Sequence, residues 1–453
     1  MRPPRVATVV LACAAMGGAL VLARLLPLLA QLWRPGVEIR DLVRVSLVVM
    51  VLLAVEVGLL ASLRLSPARR ANVALLASSV VAVLYASELG LALAGPGTAK
   101  LRDKLARLDE LRQLGRGASP GVEPVRFVWP HEPGSPSWVV IDGAPMLPLG
   151  SISRRTTLDC KEGGDWLVYE TDEHGFHNPP GAWTTAGLDL AFLGDSFVHG
   201  SCVPTEANMV ERVRRRYPAT LSLGTPGGGP LIMLAQLREY LPALRPRIVL
   251  WCHYSGNDLV DLRHESKHPL LRRYLTEGFT QGLAARQDVL DRAMSDYAQN
   301  TMLTALRHRS RRRLDLQQLL LLRELRGAAG LELADPSGLE LTEAEYALFA
   351  RVLAEARRTV EAWGGRLIVV YLPGWSEPSR QLGEAEYTRV RGAAGRRTRA
   401  LIAGMGLMLV DVEQAFAAQG DPSSLYACRG CHYSPLGYAV AAEAVLSALA
   451  SIP

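Results

Sequence analysis

The stretch Phe192-Leu193-Gly194-Asp195-Ser196-Phe197 decides how this chain is read. It closes the largely apolar run Leu188 to Leu193, which predicts a buried strand, and it leads into a helical pattern. A Ser placed where a strand turns sharply into a helix exposes its hydroxyl at the carboxyl edge of a sheet. The helix start offers free backbone N–H groups to an oxyanion. Gly194 permits a tight turn, and Asp195 can accept hydrogen bonds from the loop. Alone, these three residue types also mark ordinary turns.

Three further motifs follow in order. Gly224-Thr225-Pro226-Gly227-Gly228-Gly229 comes after the strand-like run Ala219 to Leu223. Ser255-Gly256-Asn257-Asp258 comes after Ile248 to Tyr254. Near the C-terminus, Cys431-His432-Tyr433-Ser434-Pro435-Leu436-Gly437-Tyr438 opens an Ala-rich helix. Residues just past successive strand ends converge on one rim of a parallel sheet. Ser196 is then the candidate nucleophile, and His432 the base that takes its proton. The Ser196 N–H, the Gly227 N–H and the Asn257 amide are the natural oxyanion donors.

With Ser, Gly, Asn and His in this order, the chain resembles the SGNH (GDSL-like) hydrolase superfamily over roughly residues 186 to 450. The resemblance implies a flavodoxin-like three-layer α/β/α domain with a parallel sheet. It also implies acyl esters as the substrate class. Core strands are expected at Asp189 to Leu193, Ala219 to Leu223, Ile248 to Tyr254, Arg366 to Leu372 and Met408 to Val412. Asp195, His199, His253 and Asp258 stand beside the motifs as candidate pocket residues. The alternative for the two histidines is a packed, hydrogen-bonded side chain. For Gly227, Asn257 and His432 it is an ordinary turn or loop residue.

The chain departs from the family pattern at two positions. The family has an Asp three residues before the His, to orient the imidazole, and here that residue is Arg429. Asp421, Asp411 and backbone carbonyls remain as possible orienters. Ser255 stands where a Gly commonly precedes the Asn by two positions.

The chain has 453 residues, enough for two or three domains, and is 49% hydrophobic. The apolar excess lies mainly in the first hundred residues. Val6 to Ala23 is uncharged, Val45 to Leu63 carries only Glu56, and Ala71 to Gly95 carries only Glu88. Each reaches the roughly 18 residues that cross a bilayer. The first also reads as a signal peptide. Three spans from an internal N-terminus place the catalytic domain outside the cell membrane, although the flanking arginines do not follow the positive-inside rule. Arg24 and Glu88 fall at similar depth if the first and third spans run in the same direction, and are expected to meet.

Residues 1–98 thus read as a membrane segment, 99–185 as a connector helix and small β-rich region, and 186–453 as the hydrolase domain. A helical insertion at about 262–345 is expected to cap the sheet rim. Thr171 to Pro179 is expected either to border the active site or to form a buried turn.

The net charge of +6 is modest. One dense basic run, Arg307-His308-Arg309-Ser310-Arg311-Arg312-Arg313, suits either anionic head groups and acidic polymers or a solvated helix end. No nucleic-acid-binding motif is present. No cofactor is expected, and Cys428-Arg429-Gly430-Cys431 is a single CxxC, short of a structural zinc site. In an oxidising compartment Cys428 and Cys431 could bridge and stiffen the His432 loop. Cys160, Cys202 and Cys252 are alternative partners.

The leading functional expectation is a membrane-anchored serine esterase that removes acyl groups, such as acetyl, from a carbohydrate or cell-envelope glycan. An O-acyltransferase using the same Ser-His chemistry, supplied by an envelope-biosynthesis partner protein, is the second. A catalytically impaired glycan-binding module, motivated by Arg429, is the third.

Overall fold

A computed structural model of the chain describes residues 6–16, 19, 39–94, 96–129, 136–184, 187–311, 319, 322–328, 341–375 and 384–452. The chain divides into two compact units. One combines Met1–Ala99 with Arg311–Ser337 and Pro378–Gly392, and the other combines Lys100–Ser310, Gly338–Glu377 and Ala393–Pro453.

The described part of the first unit is helical. Among the described residues one helix, Pro67–Ala92, is long and apolar enough to cross a membrane. Its mean hydropathy is 1.8 and only 11% of its apolar stretch is buried, unlike the core helix of a soluble domain. The expected set of three spans is not supported. Val6–Met16 is helical, most of the rest of the first stretch lies outside the described residues, and the second stretch falls largely in the helix Ile39–Ser62.

Arg24 also lies outside the described residues. The expected meeting of Arg24 and Glu88 therefore lies outside the described residues, and among those described Glu88 has backbone partners. It is 1% exposed and accepts the backbone N–H groups of Glu324 and Leu325 at 2.9 and 2.8 Å. These belong to the first turn of the helix Arg323–Ala328, where N–H groups lack intrahelical acceptors and favour an anion.

The second unit opens with short β elements. Strands β1 (Ser119–Pro120), β4 (Thr156–Leu158) and β5 (Val168–Glu170) form one small sheet, and β2 (Val139–Ile141) pairs with β3 (Ala144–Met146) as a hairpin. The apolar run Val125 to Trp129 is not a strand here. Val125–Val128 is a helical turn, entered from Pro124 with φ −52°, the value that proline imposes and a helix needs. The described part of residues 262–345 is mainly helical, and it bonds both to the helix Pro230–Leu244, through Arg238 and Glu239, and to this β region. Ser153 donates its N–H and hydroxyl to Asp291 at 2.9 and 2.6 Å, and Leu147 N–H donates to Gln281 at 2.9 Å. Backbone N–H groups of the segment after the hairpin, which have no ladder partner, are satisfied by these side chains.

Strands β6 (Leu190–Leu193), β7 (Thr220–Ser222), β8 (Ile248–Tyr254), β9 (Arg366–Leu372) and β10 (Met408–Asp411) form a five-stranded parallel sheet. The spatial order is β10-β9-β8-β6-β7, which is the flavodoxin-like order. Leu190 pairs with both Thr220 and Ile248, so β6 is flanked on both sides. Alternation along the strands divides the core into two layers. Ala191, Leu193, Val249, Trp251, Leu367 and Val369 pack with the helices Pro230–Leu244 and Glu343–Glu361. Phe192, Leu250, Cys252, Ile368 and Val370 pack with Met209–Arg214 and Pro435–Ala450. Burial on both faces explains why these strands read as unbroken apolar runs rather than alternating ones. The switch point lies between β6 and β8, whose ends carry Ser196 and Asn257.

Candidate active site

Ser196 begins a short helix, Ser196–His199, directly after β6. Asp195 is its N-cap, and the Asp195 carboxylate accepts the Phe197 N–H at 2.9 Å. The turn is possible because position 194 lacks a side chain. A Cβ on Gly194 would lie 2.4 Å from the Val198 side chain and 3.2 Å from Cys252 Cβ. Gly227 has φ +72°, in the left-handed region, and a Cβ there would press on Val125 at 3.0 Å. Asn257 is the N-cap of the helix Asp258–Glu265, yet its side chain makes no capping bond. Asn at an N-cap ordinarily uses its side chain on the helix. Here the amide is left for another task, and its Oδ1 has no hydrogen-bond partner among the described residues.

His432 comes from the loop before Pro435–Ala450. That loop is fixed on both sides: Ala427 N–H donates to the His432 carbonyl at 3.0 Å, and the Tyr426 and Tyr433 hydroxyls both donate to the Pro373 carbonyl at 2.9 and 2.8 Å. Cys428 and Cys431 are bridged within it. His432 Nε2 lies 2.9 Å from Ser196 Oγ, although 236 residues separate them in sequence. The expected nucleophile and base are thus within hydrogen-bond reach.

The group that orients His432 is neither Asp421 nor Asp411. Asp421 binds Ser423 in its own turn, and Asp411 caps the helix Val412–Ala417 and pairs with Arg399 at 2.9 Å. Arg429 does not face the imidazole partner position either, and its guanidinium lies 5.8 Å over the Trp375 ring. Glu162 takes the place of the missing Asp. One Glu162 oxygen lies 3.1 Å from His432 Nδ1 and accepts the His432 backbone N–H at 2.8 Å. Glu162 sits in the loop joining β4 to β5, outside the stretch that resembles the hydrolase superfamily. No local pattern marks it. The available hint is its position two residues after Cys160, which is bridged to Cys202, six residues past Ser196.

The electrostatics follow from this contact. Burial disfavours the charged imidazole, but the hydrogen bond and charge of Glu162 outweigh it and raise the His432 pKa above the ordinary histidine value. Burial likewise works against the Glu162 carboxylate, and His432 more than compensates, holding its pKa below the usual range. Each partner therefore favours the ionised form of the other. With Nδ1–H directed at Glu162, Nε2 presents its lone pair to the Ser196 hydroxyl. Glu162, Cys202 and His432 each have a potential ligand atom within 4.8 Å of the others. Cys202 is in a disulfide, however, and has no thiolate to offer a metal.

The other candidate residues behave differently. His199 is 3% exposed and packed, with Nδ1 2.9 Å from Ser201 Oγ and Nε2 2.9 Å from Tyr169 Oη. His253 is 2% exposed, with Nδ1 3.1 Å from Asp258 Oδ2. Burial pulls their pKa values down to about 4 and about 3, so both are neutral. Both rings lie within the packed interior. Asp195 and Asp258 are each 1% exposed. Burial, helped by the neighbouring Asp258, pushes Asp195 up to about 8, and burial drives Asp258 well above its ordinary value. The stretch Thr171 to Pro179 is a buried turn. Asp172 accepts from the N–H groups of His174 and Phe176 and from Asn178, and Asn178 bonds Ser222 in β7. Ser255 has a use of its own: its Oγ accepts the Gly374 N–H at 2.9 Å and ties the loops after β8 and β9 together.

The profile described as the GDSL-like Lipase/Acylhydrolase family matches residues 192–440, more than half of the chain. No curated protein matches. Among solved structures, a lipase/acylhydrolase from Enterococcus faecalis is 12% identical, covers 58% of this chain and 94% of its own, and has a TM-score of 0.31. An alpha/beta hydrolase enzyme from the metagenome of Lake Arreo, Spain, is 17% identical over 60% of this chain and 100% of its own, with a TM-score of 0.32. An acetyl xylan esterase, AlAXEase, is 10% identical over 58% and 99%, with a TM-score of 0.33. The matched segment holds β6 with its Ser196 turn, the Gly227 loop, Asn257 and His432, and this chain belongs to the GDSL-like lipase/acylhydrolase family of hydrolases acting on ester bonds.

Proposed function

We propose that this chain is a membrane-anchored serine esterase that removes acyl groups from a carbohydrate or cell-envelope glycan, using Ser196, His432 and Glu162. The observation that carries the reading is the line Ser196 Oγ, His432 Nε2 at 2.9 Å, and His432 Nδ1 to Glu162 at 3.1 Å. His432 takes the Ser196 proton as Oγ attacks the ester carbonyl carbon. The Ser196 and Gly227 N–H groups and the Asn257 amide receive the negative charge on the carbonyl oxygen. Collapse expels the alcohol, protonated by His432, and leaves an acyl-serine. Water, deprotonated by the same imidazole, then releases the acid. Glu162 supports each imidazolium step by its charge.

The apolar helix Pro67–Ala92 supports membrane attachment. The bridges Cys160–Cys202 and Cys428–Cys431 support an oxidising, extracytoplasmic setting for the hydrolase unit. Trp129 supports a sugar-bearing substrate. It is 43% exposed, stacks on His264 at 4.0 Å, and follows Val125, the neighbour of Gly227, by one helical turn. Aromatic faces of this kind offer rigid apolar area for a sugar ring.

The test is release of p-nitrophenol from its acetate ester by the full chain in detergent, with and without a glycan acceptor. Hydrolysis independent of acceptor and lost in Ser196→Ala is expected. Release that requires the acceptor would replace the esterase reading with acyl transfer, and release that persists in Ser196→Ala would remove the serine mechanism.

A further inference from the structure

Glu162 reaches His432 from an unpromising place. It lies in the loop between β4 and β5, which closes where Asp159 N–H donates to the Leu167 carbonyl and Leu167 N–H to the Cys160 carbonyl, each at 3.0 Å. The residues beyond that closure include Gly163 and Gly164, with Gly163 at φ +71°. Such a tip has much conformational freedom to lose, and a carboxylate on it would hold one position only if the tip were anchored. One side of the tip is held to the connector helix Pro96–Gln113, through Trp166 Nε1 to Asp103 at 3.0 Å and Lys161 to Asp103 at 3.6 Å. These contacts are exposed and polar, so they contribute little. The other side is covalent. Cys160 is bridged to Cys202, a residue with φ +65° that follows the Ser196 helix. Cys202 Sγ itself lies 3.5 Å from His432 Nδ1, the atom that Glu162 faces.

We propose that the Cys160–Cys202 disulfide is the clamp that positions Glu162 on His432, so that full esterase activity requires this bond to be oxidised. This rests on the Ser196–His432 reading above. Reduction by a dithiol transfers two electrons and two protons, converts Cys160 and Cys202 to thiols, and turns the dithiol into its own disulfide. The hairpin tip then loses its covalent tie. In addition, Cys202 gains a thiol beside Nδ1, which competes with Glu162 for the imidazole. Glu162 and Cys160 are positioning groups, since neither touches the reacting ester. The charged or titratable groups whose fields act on His432 are Glu162, Asp195 and Asp159, with His199 nearby and neutral.

The experiment compares the full chain in detergent with Cys160→Ser/Cys202→Ala, Glu162→Gln and the triple variant, recording kcat, KM and the pH profile of kcat/KM. The Cys428–Cys431 bridge is intact in all four, which separates its effect. The double cysteine variant is expected to lose about tenfold in kcat with KM unchanged, and to shift the acid limb of its profile to lower pH, as Glu162→Gln does. The triple variant should be no worse than Glu162→Gln alone, because the clamp acts only through that carboxylate. Full activity in the double variant, or an equal further loss when the cysteines are removed from Glu162→Gln, would overturn the proposal. If the double variant fails to fold by circular dichroism, reducing the chain that carries an intact Cys160–Cys202 bridge with a dithiol and counting free thiols gives the same comparison. In that arm Cys428→Ser/Cys431→Ser is the background. Loss of dependence on Ser196 would fail the esterase reading; dependence on Ser196 without dependence on the bridge fails only this one.

Discussion

Two carboxyl groups stand close to the Ser196–His432 pair, and they come from different parts of the molecule. Asp195 belongs to the sheet edge and to the segment shared with the family. It is deeply buried, pushed up to about 8, and uncharged at neutral pH. Glu162 belongs to the hairpin region outside that segment. It is partly exposed, hydrogen-bonded twice to His432, and held ionised. The acid nearest the nucleophile in sequence thus builds the turn, while a distant acid supplies the charge. Sequence proximity decides local hydrogen bonding, whereas ionisation depends on solvent and partners.

The sharpest way to break this division is at the sheet edge. Ser196→Ala is expected to abolish ester hydrolysis and leave the circular dichroism spectrum unchanged, since one half-buried hydroxyl contributes little to packing. Asn257→Ala should lower kcat by about 10²- to 10³-fold with little change in KM if its amide donates to the oxyanion. Wild-type kcat in that variant would assign Asn257 to the turn alone.

Glu162→Gln should have a smaller effect, about tenfold or more in kcat, because the Ser196 contact survives. Its sign with pH is definite. The base must be neutral to accept a proton, and Glu162 raises the His432 pKa. Removing the charge lowers that pKa, so the acid limb of kcat/KM moves to lower pH while the plateau falls. Glu162→Asp should recover part of the loss.

The smallest effect belongs to Asp195→Asn. An amide resembles a protonated carboxyl and keeps an acceptor for the Phe197 N–H, so activity at pH 7 should stay within about threefold. The stability effect runs with pH. The folded pKa of Asp195 is about 8, above the unfolded value of about 3.9. Its contribution is therefore complete below about pH 4 and lost as pH rises through about 8. The Tm of the wild type should fall more between pH 5 and 8 than that of Asp195→Asn, as measured by thermal denaturation in detergent.

The same contrast explains what was legible in the sequence. The five core strands were readable because burial on both faces makes each an apolar run, and their ends placed Ser196, Gly227 and Asn257 at one rim, while His432 comes from the loop before the last helix. Within the region read as β-rich, Val125–Val128 is a helical turn, because a short apolar run carries no period and Pro124 starts a helix. Glu162 was invisible because its position depends on a long-range bridge and on a hairpin without hydrophobic periodicity. Arg429 was read as a possible loss of function, yet it marks only that the orienting acid comes from elsewhere. Glu88 was expected to meet Arg24, which lies outside the described residues; the helix start that Glu88 caps was not foreseen. Such contacts are missed because the partners of buried charges are decided by tertiary neighbours that no local pattern encodes.

The most direct test of the Glu162–His432 contact is the imidazole titration itself, followed by NMR on histidine-labelled full chain in detergent, with His432→Gln used to assign the signal. The account predicts that His432 titrates above the ordinary histidine range in the wild type and at clearly lower pH in Glu162→Gln. Identical titration in the two proteins would contradict it.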